Sequence, residues 1–390
     1  MKSFVFFLFI SVSIFSQTNQ TAVKFKPTVK MEGRIMFDFE FLKAGDYNLA
    51  GNEFRRMRLA AKGSVTEEVS YKAEFDFAGG NVNFRDVYLK YKLPKKNGAI
   101  FIGSFTEPSS LNNMTSSKYI TFFERSMLSN TQPFKYNTGF MYENQQLLNG
   151  KLGLQLAYTF NGYLKNKEAY KDTDLNGGAN FVARVTTHLL EDKTKHQVLH
   201  LGLNYEYRDN NTAEYAYNFR QENHLGNKVK VAVTDFKNTS DVGVELASTF
   251  GSLSFQTEYE LSSIVTNSET YNINAYYGFV SYFLTGEHRP YKNGSFGKVK
   301  PKKEFLKNKG LGALELVARF SVMDLTNYKG TNTGDKINNI TLGFNWYLSK
   351  NTRVMYNFTS TNFNDYTDSH VATYNNENLK GHLIRFQVFF

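Results

Sequence analysis

Cysteine is absent from the 390 residues, which excludes disulfides, thiolate metal sites and cysteine nucleophiles. Proline is scarce, six in all, so long strands can run without missing ladder donors. Tryptophan occurs once, although Phe and Tyr number 36 and 25. No apolar run of about 18 residues is found, so a helical membrane protein is not expected. Catalytic spacings are missing too. The seven histidines never fall in an H-E-x-x-H spacing, and there is no phosphate-cradling G-x-x-x-x-G-K-[ST] loop. No G-x-S-x-G elbow occurs, and the Glu67–Glu68 pair falls in a turn, where it reads as solvated. A triad is spatial rather than sequential, so a barrel enzyme stays as an alternative that detergent-dependent esterase or protease activity would support. No cofactor is expected.

What is present first is a leader. Lys2 precedes an apolar run from Phe4 to Phe15, and small Ser16 precedes a polar stretch. This pattern reads as a secretory signal cleaved near Ser16–Gln17, with a buried strand or helix as the alternative. Residues 1–16 are taken as signal peptide and 17–390 as one domain outside the cytoplasm.

Period two then dominates. In Val69–Phe77, Val69, Tyr71, Ala73, Phe75 and Phe77 alternate with Ser70, Lys72, Glu74 and Asp76, as side chains on opposite faces of a strand do. Leu201, Leu203, Tyr205 and Tyr207 alternate in the same way with polar neighbours. Such segments fall at 29–41, 54–63, 68–78, 84–93, 98–105, 137–145, 151–160, 178–190, 196–208, 240–250, 252–262, 272–285, 311–325, 337–348, 352–362 and 382–390. About sixteen alternating strands, with apolar Tyr- and Phe-rich faces opposite faces of mixed charge, predict an all-β, antiparallel transmembrane barrel. A β-sandwich would also alternate, but a chain this long would need many Gly/Pro corners. Connections are expected to alternate short and long, with 64–67, 147–150 and 191–195 short and 106–136, 161–177 and 209–239 long. One connection breaks the rule: Gly286–Gly310, very basic, falls where a short turn belongs. It is either folded into the barrel mouth, a solvated flap, or the sign of a miscounted strand.

The net charge is +10, from 46 Lys and Arg against 36 Asp and Glu. If the apolar parity meets lipid, the other parity lines a channel. The second segment then points Arg56, Arg58 and Lys62 inward and Met57, Leu59 and Ala61 outward; the first contributes Arg34, Asp38 and Glu40, and the fourth Asp86, Tyr88, Lys90 and Lys92. Ladders of Arg and Lys favour anions in pores, and guanidinium groups bond oxyanions bidentately. The alternatives are an ordinary solvating mix of charges and contacts with anionic lipid headgroups. Basic patches among aromatics can also mark nucleic-acid binding, but export and strict alternation argue against it, and no nucleic acid is expected as a partner.

The stretch Arg55–Ser129, with RRMRLAAKGSVTEEVSYKAEFDFAGGNVNFRDVYLKYKL and then GAIFIGSFTEPSSLNNMTSSKYITFFERSML, resembles the phosphate-selective porin O/P family. So do FLTGEHRPYKNGSFGKVKPKKEF, GALELVARFSVMDLT and NITLGFNWYLSKNTRVMYNF further on. The Asn-rich loops look like a Bacteroidetes-type member. The resemblance implies a sixteen-stranded barrel of the Gram-negative outer membrane, assembled as a homotrimer and conducting small anions such as phosphate. It implies a third external loop, about Thr106 to Tyr136 with Glu107, Lys118, Arg125 and Lys135, folded into the lumen. It matches Arg289–Lys309 to a family turn that bends into the pore, and Arg55, Arg56, Arg58 and Asp86 to family motif positions. Lys118 stands where the family often has arginine, and Leu314 where it has tryptophan.

The last segment, GHLIRFQVFF, reads as the closing strand. Ile384, Phe386, Val388 and Phe390 would face lipid, and Arg385 would meet solutes with Gln387 beside it. A terminal phenylalanine resembles the signal by which barrel-assembly machinery selects its clients. Membrane lipid and lipopolysaccharide are the other partners expected. The competing function is a plugged, non-conducting adhesive barrel working through its long loops at Asn161–Ala179 and Asp209–Asn238.

Overall fold

The computed structural model describes residues 25–130, 136–160, 178–209, 214–307, 309–328, 336–363, 374 and 377–390. The leader, Lys135 and most of the Asn161–Ala179 loop lie outside them. The strands in chain order are β1 Lys30–Ala44, β2 Tyr47–Ser64, β3 Val69–Asp76, β4 Asn83–Lys92, β5 Ala99–Thr106, β6 Tyr136–Leu147 and β7 Leu152–Phe160. They continue with β8 Ala179–Asp192, β9 Gln197–Asp209, β10 Glu214–Phe219, β11 Val229–Thr234, β12 Phe236–Phe250, β13 Leu253–Thr266 and β14 Thr270–Phe283. The last six are β15 Tyr291–Lys292, β16 Ser295–Phe296, β17 Ala313–Asp324, β18 Lys336–Tyr347, β19 Thr352–Asn362 and β20 Leu379–Phe389.

All but four form one closed antiparallel barrel in sequence order; β10–β11 and β15–β16 are separate two-stranded hairpins. The barrel strands correspond one for one to the sixteen segments expected, so no strand was miscounted. Closure comes from β1 on β20, with Asp38 opposite Arg385 and Arg34 opposite Phe389. The first hairpin is longer than its hydrophobic pattern suggests: Tyr47–Asn52 continue pairing to Ala44–Phe39, and only Gly45 and Asp46 join the strands. Gly45 takes a φ of +53° there, a conformation glycine adopts without steric cost.

The alternation has a physical reading. Phe54, Met57 and Leu59 on β2, and Ile340, Leu342 and Phe344 on β18, are exposed on the outer parity, while Arg56 and Thr341 between them are buried. Only lipid removes that outer apolar surface from water, at about 25 cal/mol per Å2. Turns 65–68, 93–98, 148–151, 193–196, 251–252 and 348–351 mark one end, the turn end; 107–135, 161–178 and 210–235 mark the other, the loop end. The basic connection 284–312 is at the turn end, as parity requires.

Part of the barrel interior is packed rather than wet. Phe122, Phe123, Met127 and Leu128, from between β5 and β6, join Phe219, Val229 and Val231 of the β10–β11 region and inward residues such as Ala275, Tyr277, Phe279 and Val317 in one buried apolar cluster. Each fully buried Phe or Leu there contributes about 1.5–3 kcal/mol. This core reaches from the β14–β17 wall to Leu42 and Ala44 of β1 and leaves other inward residues of β1–β6, such as Arg34 and Lys72, around open space.

Candidate functional site

Two irregularities in the sheet build the site. In β1–β2 pairing, Arg56 faces Met36 and Phe54 faces Phe37, so Arg55 is an extra residue. Strict alternation would aim Arg55 at lipid, at a cost of about 2–4 kcal/mol near the midplane. The bulge turns it inward beside Arg56, as bulges re-aim side chains. Arg55 donates to Glu124 at 2.8 and 3.1 Å, and Arg56 donates to the same carboxylate at 3.3 Å. In β3–β4 pairing, Ala73 faces Val87 but Phe75 faces Phe84. Arg85 and Asp86 thereby share the inner side, with Arg85 3.1 Å from Asp76 and Asp86 2.6 Å from Lys72.

These side chains surround a cavity of about 520 Å3 whose lining holds Arg34, Arg55, Arg56, Arg58, Lys72, Arg85, Lys90 and Arg125 against Glu74, Asp86, Glu124 and Glu143. Eight cations face four carboxylates, so the wall carries an excess of positive charge. The carboxylates are shared. Glu74 meets Arg34 at 3.1 Å, Arg58 at 3.0 Å and Lys72 at 2.9 Å, and Asp76 meets Arg58 at 2.8 Å. Sharing fixes the guanidinium planes without neutralising them all. Tyr136 adds an aromatic face, 5.2 Å from the Arg85 guanidinium carbon and 6.0 Å from that of Arg58, which holds cations in place further.

The opposite side of the cavity is the 107–130 connection. Its buried backbone carbonyls need donors, and long inward side chains of the far wall supply them. Arg353 donates to the Ile120 carbonyl at 2.9 Å, Asn345 to Thr121 at 2.8 Å, Arg385 to Phe123 at 2.5 Å, Arg319 to Glu124 at 3.0 Å and Gln387 to Lys118 at 3.0 Å. Asn357 accepts from the Phe123 amide at 2.7 Å. Farther along, the Leu111 and Asn112 amides donate to Glu258, both at 2.9 Å. All these partners lie on the inner parity of β13 and β17–β20, so the segment runs along the inside of the barrel. Arg125 ties the segment to itself, donating to the Asn112 and Thr115 carbonyls at 2.8 and 2.7 Å.

Two groups on this connection are electrostatically displaced. Burial alone would raise the Glu124 pKa, but Arg55, Arg56 and Arg385 hold the carboxyl well below the usual range. Burial and the neighbouring Arg34 charge pull Lys118 down to about 8, against the partial support of Glu32, which is 3.8 Å away.

Of the residues singled out in the sequence, Arg34, Arg56, Arg58, Asp86, Lys90 and Arg125 come together around the cavity. Lys118 stands next to it in a small recess with Glu32, Arg34, Arg58 and Glu74. Lys62 is apart, at the turn-end rim, paired with Glu32 at 2.7 Å and with a side chain 43% exposed. The expectation for Arg385 needs correcting. Its parity is inward, but it is fully buried, clamped by Asp38 at 2.7 and 2.6 Å and Glu124 at 3.0 Å with the Phe123 ring 4.2 Å away. It anchors the Phe123 carbonyl and is not among the residues lining the cavity. Parity reasoning passed over Arg55 and Arg85; it put Lys72 on the polar face without singling it out. The signal was present for Arg55: Phe54, Arg55 and Met57 cannot all obey one alternation without a bulge. The basic connection divides. Arg289 donates to Gln256 at 3.1 Å and Gly294 accepts from Arg184 at 2.8 Å on the inner face. Phe305 packs on Trp346 at 4.7 Å between ring centroids.

A family model described as phosphate-selective porin O and P matches residues 29–390. The chain belongs to that family. It is 26% identical over 366 residues to Porin O of Pseudomonas aeruginosa, covering 82% of this chain and 80% of that protein. An uncharacterized protein of Caulobacter vibrioides is 25% identical over 311 residues, covering 76% of this chain and 61% of that one. Among solved structures, an anion-selective porin from Comamonas acidovorans aligns with a TM-score of 0.58 at 13% identity, over 94% of this chain and all of that one. OmpT of Vibrio cholerae in its trimer form aligns at 0.56 and 11% identity, over 93% of this chain and 99% of that one. The two solved structures establish the fold. Family and barrel together make this a porin channel of the Gram-negative outer membrane.

Proposed function

We propose that this porin is an anion-preferring diffusion channel whose selective step is the Arg55–Arg56–Arg58–Arg85 cluster, and that phosphate-class oxyanions are favoured there. The carrying observation is the charge of the cavity lining, eight cations against four carboxylates. Several guanidiniums face one space, so an oxyanion can pass from one fork to the next. The shared carboxylates Glu74 and Glu124 compete for the same donors, which keeps residence short, and conduction needs release as much as binding. The 107–130 segment limits the width of the passage, and Lys72, Arg34 and Lys90 continue the cationic lining toward the turn end. Trimeric assembly is part of the proposal; OmpT, which shares the fold, has a trimer form.

The test is conductance of the purified protein in planar bilayers with phosphate added against chloride and sulfate. Phosphate should depress chloride current at concentrations where sulfate does not, and Arg58→Ala should weaken that block. Equal block by both anions would remove the phosphate claim. Absence of any current from a folded barrel would support the plugged adhesive alternative.

A further inference from the structure

The basic connection carries a second feature, outside the barrel. Trp346 ends the outward row Ile340, Leu342, Phe344 on β18 at the turn end. Residues 302–307 and 309–311 lie over it. The Phe305 ring meets Trp346 edge-on at 4.7 Å, and the indole Nε1 donates to the Leu311 carbonyl at 2.7 Å. The segment is tied to itself and to the β18–β19 turn: Leu306 N to Gly310 O at 3.2 Å, Gly310 N to Lys307 O at 3.0 Å and Phe305 N to Leu348 O at 2.7 Å. On this scaffold Leu306 is 83% and Leu311 74% exposed, among the most exposed large apolar residues described. Leu306 holds a φ of +59°, which is unfavourable for a leucine. Lys302, Lys303, Lys307 and Lys309 are exposed around these leucines. The acidic neighbour, Glu304, is 3.6 Å from Lys307 and accepts from the Lys350 amide at 3.3 Å.

Exposed leucines beside a tryptophan at the rim of a lipid-facing band, ringed by lysines, fit a membrane interface: apolar groups enter the acyl boundary and ammonium groups reach the phosphates above it. We propose that residues 302–307 and 309–311 form a lipid-headgroup anchor that binds anionic phospholipid in the leaflet at the turn end, through Lys303, Lys307 and Lys309. This rests on the outer-membrane barrel and not on the anion selectivity of its lumen. The occupant is lipid rather than a second copy because the segment continues the outward row that the bilayer covers. Its surplus of lysines also complements phosphate and repels the same segment on a like chain.

The single tryptophan makes the test specific. The whole protein is reconstituted into bilayers containing brominated phosphatidylglycerol or brominated phosphatidylcholine, and quenching of Trp346 is measured. The anionic lipid should associate at least about threefold more strongly. The preference should fall toward one in Lys303→Gln/Lys307→Gln/Lys309→Gln and at roughly 0.5 M NaCl. Conductance of the triple variant should keep its wild-type anion preference, so this proposal and the channel proposal fail separately. A wild-type ratio near one overturns the anchor, as does a preference that survives the triple substitution. Weak quenching by both lipids places another copy over Trp346 and also overturns it.

Discussion

Glu124→Gln tests the electrostatics of the site most sharply. Glu124 receives Arg55 at 2.8 Å, Arg56 at 3.3 Å and Arg385 at 3.0 Å. Glutamine keeps the shape and one acceptor but removes the charge, raising the positive excess of the lining by one. A unit charge about 4 Å from a permeant ion in watery surroundings is worth about 1 kcal/mol. An anion gains and a cation loses that amount, so the anion-over-cation permeability ratio should rise by up to about thirtyfold. The cost falls on stability. Arg385 retains Asp38, but Arg56 is left with only the Met36 sulfur at 3.4 Å. Removing one partner of a buried pair typically costs about 3–5 kcal/mol, and the surviving acceptor should limit the loss to roughly 2–3 kcal/mol. Reversal potential in planar bilayers reads the first effect, and heat-modifiable migration on gels reads the second. A folded variant with an unchanged or smaller anion preference would refute the idea that these arginines face the ion.

Three further outcomes follow from the same geometry. Lys118, with its pKa at about 8, is charged below that pH and neutral above it, so anion preference should fall between pH 7 and 9. Lys118→Arg should abolish the fall, because a guanidinium stays charged; a flat wild-type profile would contradict this. A Cβ at Gly33 would lie 2.2 Å from the Phe390 ring, which covers it where the two backbones pair at 3.0 and 3.1 Å. Gly33→Val should displace that ring and lower stability in urea by about 1–3 kcal/mol, whereas an unchanged midpoint would show the ring to be dispensable. Arg385→Met strands the buried Asp38 carboxylate and should cost about 3–5 kcal/mol, with Asp38→Asn restoring part of it. Its effect on selectivity should be smaller than that of Arg58→Ala, and a larger one would return Arg385 to the solute path.

The barrel was legible because its rule is local. Alternation along each strand places Phe386 and Val388 outside and Arg385 inside whatever the partner strand is. Bulges break that rule by one residue, which is why Arg85 and Asp86 both face the lumen when alternation admits only one. The fate of inward arginines was not legible. Arg58 and Arg385 share a parity, yet one lines open space and the other is sealed. The difference is made by Phe123 and Glu124, whose contacts with Arg385 span 262 and 261 positions. A long connection in a sequence shows that it must go somewhere; only the donors on the far wall say where. The same holds for 284–312, whose two halves lie on opposite sides of the barrel wall because Arg289 finds Gln256 within and Phe305 finds Trp346 without.

The central claim is that the lumen selects by its cationic lining, and the zero-current potential of the wild-type protein across a KCl gradient measures it directly. The account predicts a potential of the sign set by chloride, reduced by Arg55→Gln/Arg58→Gln with the barrel still folded. A potential of the sign set by potassium, or one that the double substitution leaves unmoved, would contradict it.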